Sequence, residues 1–162
     1  MLARWVLAVG AVVLTTAAGP VREELVEGGL HLEASLSRPT YRAGETVEVT
    51  LRVANPGSAP VSVIFTSGQR YDLVIRRPRG DEVWRWSHDK AFIQVIEVMT
   101  LEPGQSFSFQ IPWEQQDYQG RRVDPGPYQA VAVFMGRPQT GREMKRAEHL
   151  RLPPLAFRIG AP

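Results

Sequence analysis

Apolar side chains recur at every second position along most of this chain, a period that suits half-buried strands and not helices. Leu30, Leu32, Ala34 and Leu36 alternate with His31, Glu33, Ser35 and Ser37, and Val47, Val49, Leu51 and Val53 alternate with Glu48, Thr50 and Arg52. Asn55-Pro56-Gly57 and Pro60 frame a short strand over residues 61–65. Tyr71, Leu73 and Ile75 form the next inward set, and Pro78-Arg79-Gly80-Asp81 turns the chain into residues 82–86, so these two segments read as a hairpin. Residues 94–99 read as a β-branched strand. Pro103-Gly104 precedes the alternation of Phe107, Phe109, Ile111 and Trp113. Pro125-Gly126-Pro127 leads into a strand over residues 128–135, and a last strand covers residues 155–159. The only helical candidate after the first twenty residues is the very polar stretch 140–152.

About eight short strands at near-regular spacing predict an all-β chain: an immunoglobulin-like, two-sheet antiparallel β-sandwich. With 162 residues the chain is long enough to bury a core without covalent staples. It has no cysteine. That excludes disulfides, thiolate metal sites, a cysteine nucleophile and a lipid-modified N-terminal cysteine.

The first eighteen residues read apart from the rest. Arg4 is followed by an apolar run from Trp5 to Leu14, broken only by Gly10, and then by Thr16-Ala17-Ala18. This is the layout of a signal peptide, here a signal helix ahead of a domain over residues 19–162. As a helix, residues 5–18 would span about 21 Å, short of the roughly 30 Å of hydrocarbon in a bilayer. An uncleaved N-terminal anchor is the alternative. The expected location is therefore extracytoplasmic, secreted or on the envelope of a bacterium, with membrane contact only through this segment. The net charge is +2, of which Arg4 supplies one unit. So small a balance argues against nucleic acid, which demands a concentrated basic stripe.

Catalytic and metal-binding groups are sparse. Ser87, His88 and Asp89 are consecutive, and in an extended chain neighbours project to opposite sides, so they cannot stack into a nucleophile–base–acid relay. No nucleophile elbow is present. His31, His88 and His149 lack zinc-ligand spacing. Asp117 and Asp124 share a polar loop that bears no likeness to a twelve-residue calcium loop. No cofactor and no metal site are expected. Binding is then left to loops carried on a rigid scaffold. Three of them stand out: residues 87–91, with Ser87, His88, Asp89 and Lys90; residues 114–124; and the long connection 136–154, with Arg137, Arg142, Lys145, Arg146 and Arg151. Trp84 and Trp86 lie two apart and should share a strand face, filling the core beside Tyr71; an exposed aromatic platform is the alternative. Arg70 and Asp72 flank Tyr71 and should form a polar cluster on the sheet surface, across strands or with Arg85.

Several of these residues fall into ordered blocks: Phe65-Thr-Ser-Gly68-Gln-Arg70-Tyr71-Asp72-Leu73, then Gly80-Asp-Glu-Val-Trp84-Arg-Trp86-Ser87, then Phe92, Thr100-Leu-Glu-Pro-Gly-Gln105, Trp113 and Pro125-Gly126-Pro-Tyr128. In this order they resemble the BsuPI-type intracellular proteinase inhibitor family over roughly residues 32–135. The resemblance implies an immunoglobulin-like β-sandwich in which Gly68, Arg70, Tyr71, Asp72, Trp84, Trp86, Phe92, Trp113, Gly126 and Tyr128 are mainly structural. It also implies a protein partner, a subtilisin-type serine protease, gripped by a loop of a monomeric, non-catalytic chain. A leader sequence would separate the chain from an intracellular target. The alternative expectation is an immunoglobulin-like binding or structural module of the bacterial cell envelope, without inhibitory activity.

Overall fold

Inward Leu30, Leu32, Ala34 and Leu36 are fully buried, as their alternation with polar neighbours requires. A computed structural model describes residues 19–139 and 149–161. Its strands, in chain order, are β1 (Val21–Glu27), β2 (Leu30–Leu36), β3 (Thr40–Tyr41), β4 (Val47–Ala54), β5 (Val61–Phe65), β6 (Tyr71–Arg76), β7 (Glu82–Arg85), β8 (Glu97–Leu101), β9 (Ser106–Trp113), β10 (Gly126–Phe134), β11 (Arg137–Pro138), β12 (Leu150–Arg151) and β13 (Leu155–Ile159). Among the described residues one 3-10 turn is present, at Trp86–Asp89.

The chain is all-β, in several antiparallel sheets. One sheet runs β1-β2-β4-β9, a second runs β3-β13-β10-β6-β7 with β12 also on β10, and a third runs β11-β5-β8. Among the described residues all strand pairings are antiparallel except β13 with β3. One hydrophobic core joins the three: Leu32, Val49, Leu51 and Ile111 from the first, Leu73, Ile75, Ala130 and Phe157 from the second, Val63 and Phe65 from the third. Trp113 and Tyr128 are among its largest buried side chains, with ring centroids 5.8 Å apart.

Four expectations change. Among the described residues the sheets number three and not two, because β5, β8 and β11 pair only with one another. The strands number more than eight because short edge pairs and the whole of β1 join them. β1 pairs with β2 along its full length across Gly28-Gly29, both at positive φ, as a two-residue hairpin turn demands. The strand expected over residues 94–99 begins only at Glu97, where pairing with Phe65 starts. The connection 136–154 is not structureless, since β11 pairs with β5 and β12 with β10. The leader expected over residues 1–18, and Arg142, Lys145 and Arg146, lie outside the described residues.

Candidate functional site

The hairpin β6–β7 ends on a buried carboxylate, and that carboxylate shapes the chain beyond β7. Asp72, only 5% exposed, accepts from the Ser87 hydroxyl at 2.7 Å, the Ser87 amide at 3.2 Å and the Arg85 guanidinium at 3.1 Å. The pairing with Arg85 expected from the sequence is present, but on a carboxylate that sits inside and not on the sheet surface, satisfied there as a buried charge must be. Capturing Ser87 pulls the chain out of β7 after Arg85 and into the 3-10 turn. Residues 87–89 are therefore wound rather than an open loop, and Trp86 leaves the strand face it was expected to share with Trp84.

The two tryptophans consequently part company. Both are half-buried and pack on the core. Trp86 lies against Tyr71, with centroids 4.5 Å apart, and against Phe92 at 5.9 Å. Lys90 stands over its face at 4.6 Å and donates to the Trp86 carbonyl at 2.9 Å. Trp84 leans instead toward Trp113 at 6.5 Å and His88 at 6.0 Å.

Beyond the turn, residues 90–96 form neither helix nor strand. Ile93 is 72% exposed and Ile96 is 76% exposed, and Val98 follows them on β8 at 60%. The stretch is held from beneath. Gly68 donates its amide to the Ile93 carbonyl at 2.9 Å, and a Cβ on Gly68 would come within 3.2 Å of Ile93 Cγ1. Phe92 anchors one end against Trp86. At the other end Arg70, lying over the Phe65 ring at 4.2 Å, forms an ion pair with Glu97. The expected partner of Arg70 was a cross-strand or Arg85 cluster; it reaches β8 instead.

The loop of residues 114–124 comes to the same turn. Gln115, buried and at φ 55°, donates to the carbonyls of Arg42 and Glu45 and accepts from the Gly44 amide. Asp117 accepts from the amides of Gln119 and Arg121 and from the Arg121 side chain. Tyr118 packs its ring on His88 at 4.9 Å and donates its hydroxyl to Glu82, which also binds Arg85. Burial would raise the Glu82 carboxyl, but the Arg85 and Tyr118 hydrogen bonds and the Arg85 charge bring it below its usual range. Tyr118 is pushed up to about 12, by burial first and then by its bond to Glu82 and that carboxylate's charge.

The residues singled out from sequence thus divide. Ser87, His88, Asp89 and Lys90 share the turn, but Ser87 Oγ is spent on Asp72, His88 Nδ1 sits 2.6 Å from the Arg85 carbonyl, and Asp89 pairs with Lys90 at 2.8 Å. No relay links them. Arg137 lies apart, on β11 opposite Ile64. Gly126, at φ 138°, opens β10, and Tyr128 donates its hydroxyl to the Asp124 carbonyl at 2.5 Å with Arg77 over its ring. Among the described residues, no group of three or more His, Cys, Asp or Glu side chains could hold a metal ion. The exposed stretch 90–96 escaped the sequence reading because Ile93, Gln94, Val95 and Ile96 carry the composition of a strand. The signal for it was Gly68, whose missing side chain admits the stretch.

The model of the BsuPI family, described as intracellular proteinase inhibitor, matches residues 34–139. This corrects the expected secreted or envelope location, since the family is described as intracellular. Among the described residues no helix is long and apolar enough to cross a membrane. No curated protein matches the chain. Solved structures similar to it include a β-glucosidase from Listeria innocua in complex with glucose, 12% identical, with a TM-score of 0.45 over 81% of this chain and 16% of the other. The sporulation control protein Spo0M from Bacillus subtilis is 17% identical, with a TM-score of 0.41 over 83% of this chain and 50% of the other. The alkylpurine DNA glycosylase AlkC from Pseudomonas fluorescens is 13% identical, with a TM-score of 0.42 over 84% of this chain and 32% of the other. The chain spans 16% of the length of that glucosidase, and likeness at this level carries no functional argument.

Proposed function

The chain belongs to the BsuPI family of proteinase inhibitors, and from that premise we propose that it is a non-catalytic inhibitor that offers residues 90–96 to the cleft of a subtilisin-type serine protease. The observation that carries this reading is the exposure of Ile93 and Ile96 on a stretch that is braced yet unpaired. Protease clefts take peptide in extended form. A stretch already held at both ends loses less freedom on binding, so more of the contact energy appears as affinity. Three large apolar side chains this exposed within six residues, Ile93, Ile96 and Val98, are the kind of surface a partner covers. Bracing by Gly68, Trp86 and the Arg70–Glu97 ion pair favours slow release after any cleavage, because the two ends stay in place.

The finer architecture fits an immunoglobulin-like sandwich. The Tyr128 hydroxyl reaching back four residues to the Asp124 carbonyl has the geometry of the tyrosine corner found in such domains. Chemistry plays no part in this reading, since Ser87, His88 and Asp89 are each committed to other partners.

Titration of a subtilisin-type protease tests it. Activity should fall linearly and vanish at one equivalent. Ile93→Asp and Ile96→Asp should each weaken inhibition by about 10–100-fold, as loss of an interface anchor does, with melting temperature unchanged because both side chains are in solvent. Protease activity untouched at micromolar inhibitor would sink the proposal for that enzyme class.

A further inference from the structure

A second surface shares the 3-10 turn. Between that turn and the loop of residues 114–124 lies an open cleft of about 310 Å³, lined by the aromatic rings of Trp84, His88 and Tyr118 and by the carboxylates of Asp89, Glu114 and Asp117. The rings are steeply inclined to one another, Trp84 to His88 at 66° and His88 to Tyr118 at 70°, so they make walls and not a closed stack. The walls are fixed in place: Tyr118 is tied to Glu82, and Trp113 beneath donates its indole N–H to the Gln116 carbonyl at 2.8 Å.

The charge of the cleft sets it apart from its neighbours. A cleft beside Asp72 is lined by Arg85 and Arg151, and another by Arg77, Arg121 and Arg122, whereas among the described residues no lysine or arginine lines this one. Two of its carboxylates are already paired, Asp89 with Lys90 and Asp117 with Arg121. Glu114 is not: among the described residues it forms no ion pair, and its oxygens accept only from the Thr46 hydroxyl at 3.0 and 3.1 Å. One unneutralised carboxylate beside aromatic walls is the chemistry that attracts a cation to ring faces.

We infer that this cleft binds an arginine side chain of a protein partner, its guanidinium stacked on the aromatic walls and paired with Glu114. A planar, weakly hydrated guanidinium suits inclined aromatic walls better than an ammonium does. This surface does not depend on the inhibitor reading. A failed protease titration leaves it standing, and its own failure leaves the stretch 90–96 untouched.

The test is an NMR titration of the full chain with Nα-acetyl-arginine methylamide, followed at the Trp84 indole N–H, which is assigned with Trp84→Phe. Parallel arms use the lysine and the neutral norleucine analogues. The arginine probe should move the Trp84 signal saturably, with a Kd on the order of millimolar for so small a ligand. Lysine should bind more weakly and norleucine not at all. Glu114→Gln should weaken the arginine probe at least about fivefold while the melting temperature holds, because Glu114 is exposed. Tyr118→Leu should weaken it as well. The inference is overturned if the arginine probe gives no saturable shift, if norleucine binds equally well, or if Glu114→Gln leaves the affinity unchanged.

Discussion

Asn55 shows how one buried amide can hold two turns at once. Its side chain donates to the carbonyls of Ala59 and Leu101, each at 2.9 Å, and accepts from the Gly57 amide at 3.0 Å. Its backbone bonds Gln105 and Gly104. Replacing Asn55, itself 1% exposed, by alanine orphans the buried Leu101 carbonyl and removes the partly buried bonds to Ala59 and Gly57, and an orphaned buried group costs about 1–3 kcal/mol. Asn55→Ala should therefore lower stability by about 2–4 kcal/mol in a denaturant melt; a change under about 0.5 kcal/mol would contradict this role. Tyr118 makes a sharper claim about charge. Its folded pKa of about 12 lies above the usual value near 10. The folded state therefore keeps a proton that the unfolded chain loses. The resulting stability is complete below about pH 10 and is lost as pH rises through 12. An ultraviolet titration should show one tyrosine ionising near 12 that is missing in Tyr118→Phe, and Glu82→Gln should lower that midpoint.

At the scale of elements, residues 90–96 show what periodicity can and cannot reveal. The alternating strands β2, β4 and β9 were legible because one face of each is buried and the other wet, which imposes the period of two. β1 also alternates weakly, and its real signature, the glycine pair at 28–29, is a matter of turn chemistry and not of hydrophobicity. The segment from Ile93 to Ile96 misled for the opposite reason. β-branched composition reports fitness for a pleated, packed surface, and Ile93, Val95 and Ile96 carry that composition without joining a strand. The turn at Trp86–Asp89 was hidden too, because it depends on the Asp72 carboxylate, 15 residues before Ser87. Gly68 is the element's hinge of fit. Gly68→Ala should displace Ile93 and weaken protease inhibition several-fold with little change in melting temperature; unchanged inhibition would show that the stretch tolerates a shift.

Across the whole molecule, acid is the condition to which the scaffold should be most sensitive. Glu45 is lowered by the Arg42 amide first and then by Arg38, Asp89 by Lys90, and Asp117 by the Arg121 and Gln119 amides and the Arg121 side chain despite its partial desolvation; Glu82 joins them. Their folded pKa values lie below those of the unfolded chain, about 3.9–4.3. The stability they contribute is thus present above that range and is lost as pH falls through the folded values. Melting temperature should decline slightly as pH falls from about 7, because burial holds the His149 imidazole below its usual value and the unfolded chain takes that proton more readily, and should drop more steeply below about pH 4, with a shallower drop in Glu82→Gln. A rise on acidification would contradict the sign of these interactions.

On the function proposed above, the scaffold serves to present residues 90–96, which join no strand, to a protease. Hydrogen–deuterium exchange of the chain alone and with one equivalent of a subtilisin-type protease, inactivated at its own nucleophile, reads that stretch directly. Amides of residues 91–96 should exchange freely in the isolated protein and slow by at least about tenfold in the complex, while β2 and β4 stay unchanged. Protection confined to other loops, or exchange unaltered throughout, would show that these residues are not the surface by which the chain grips a protease.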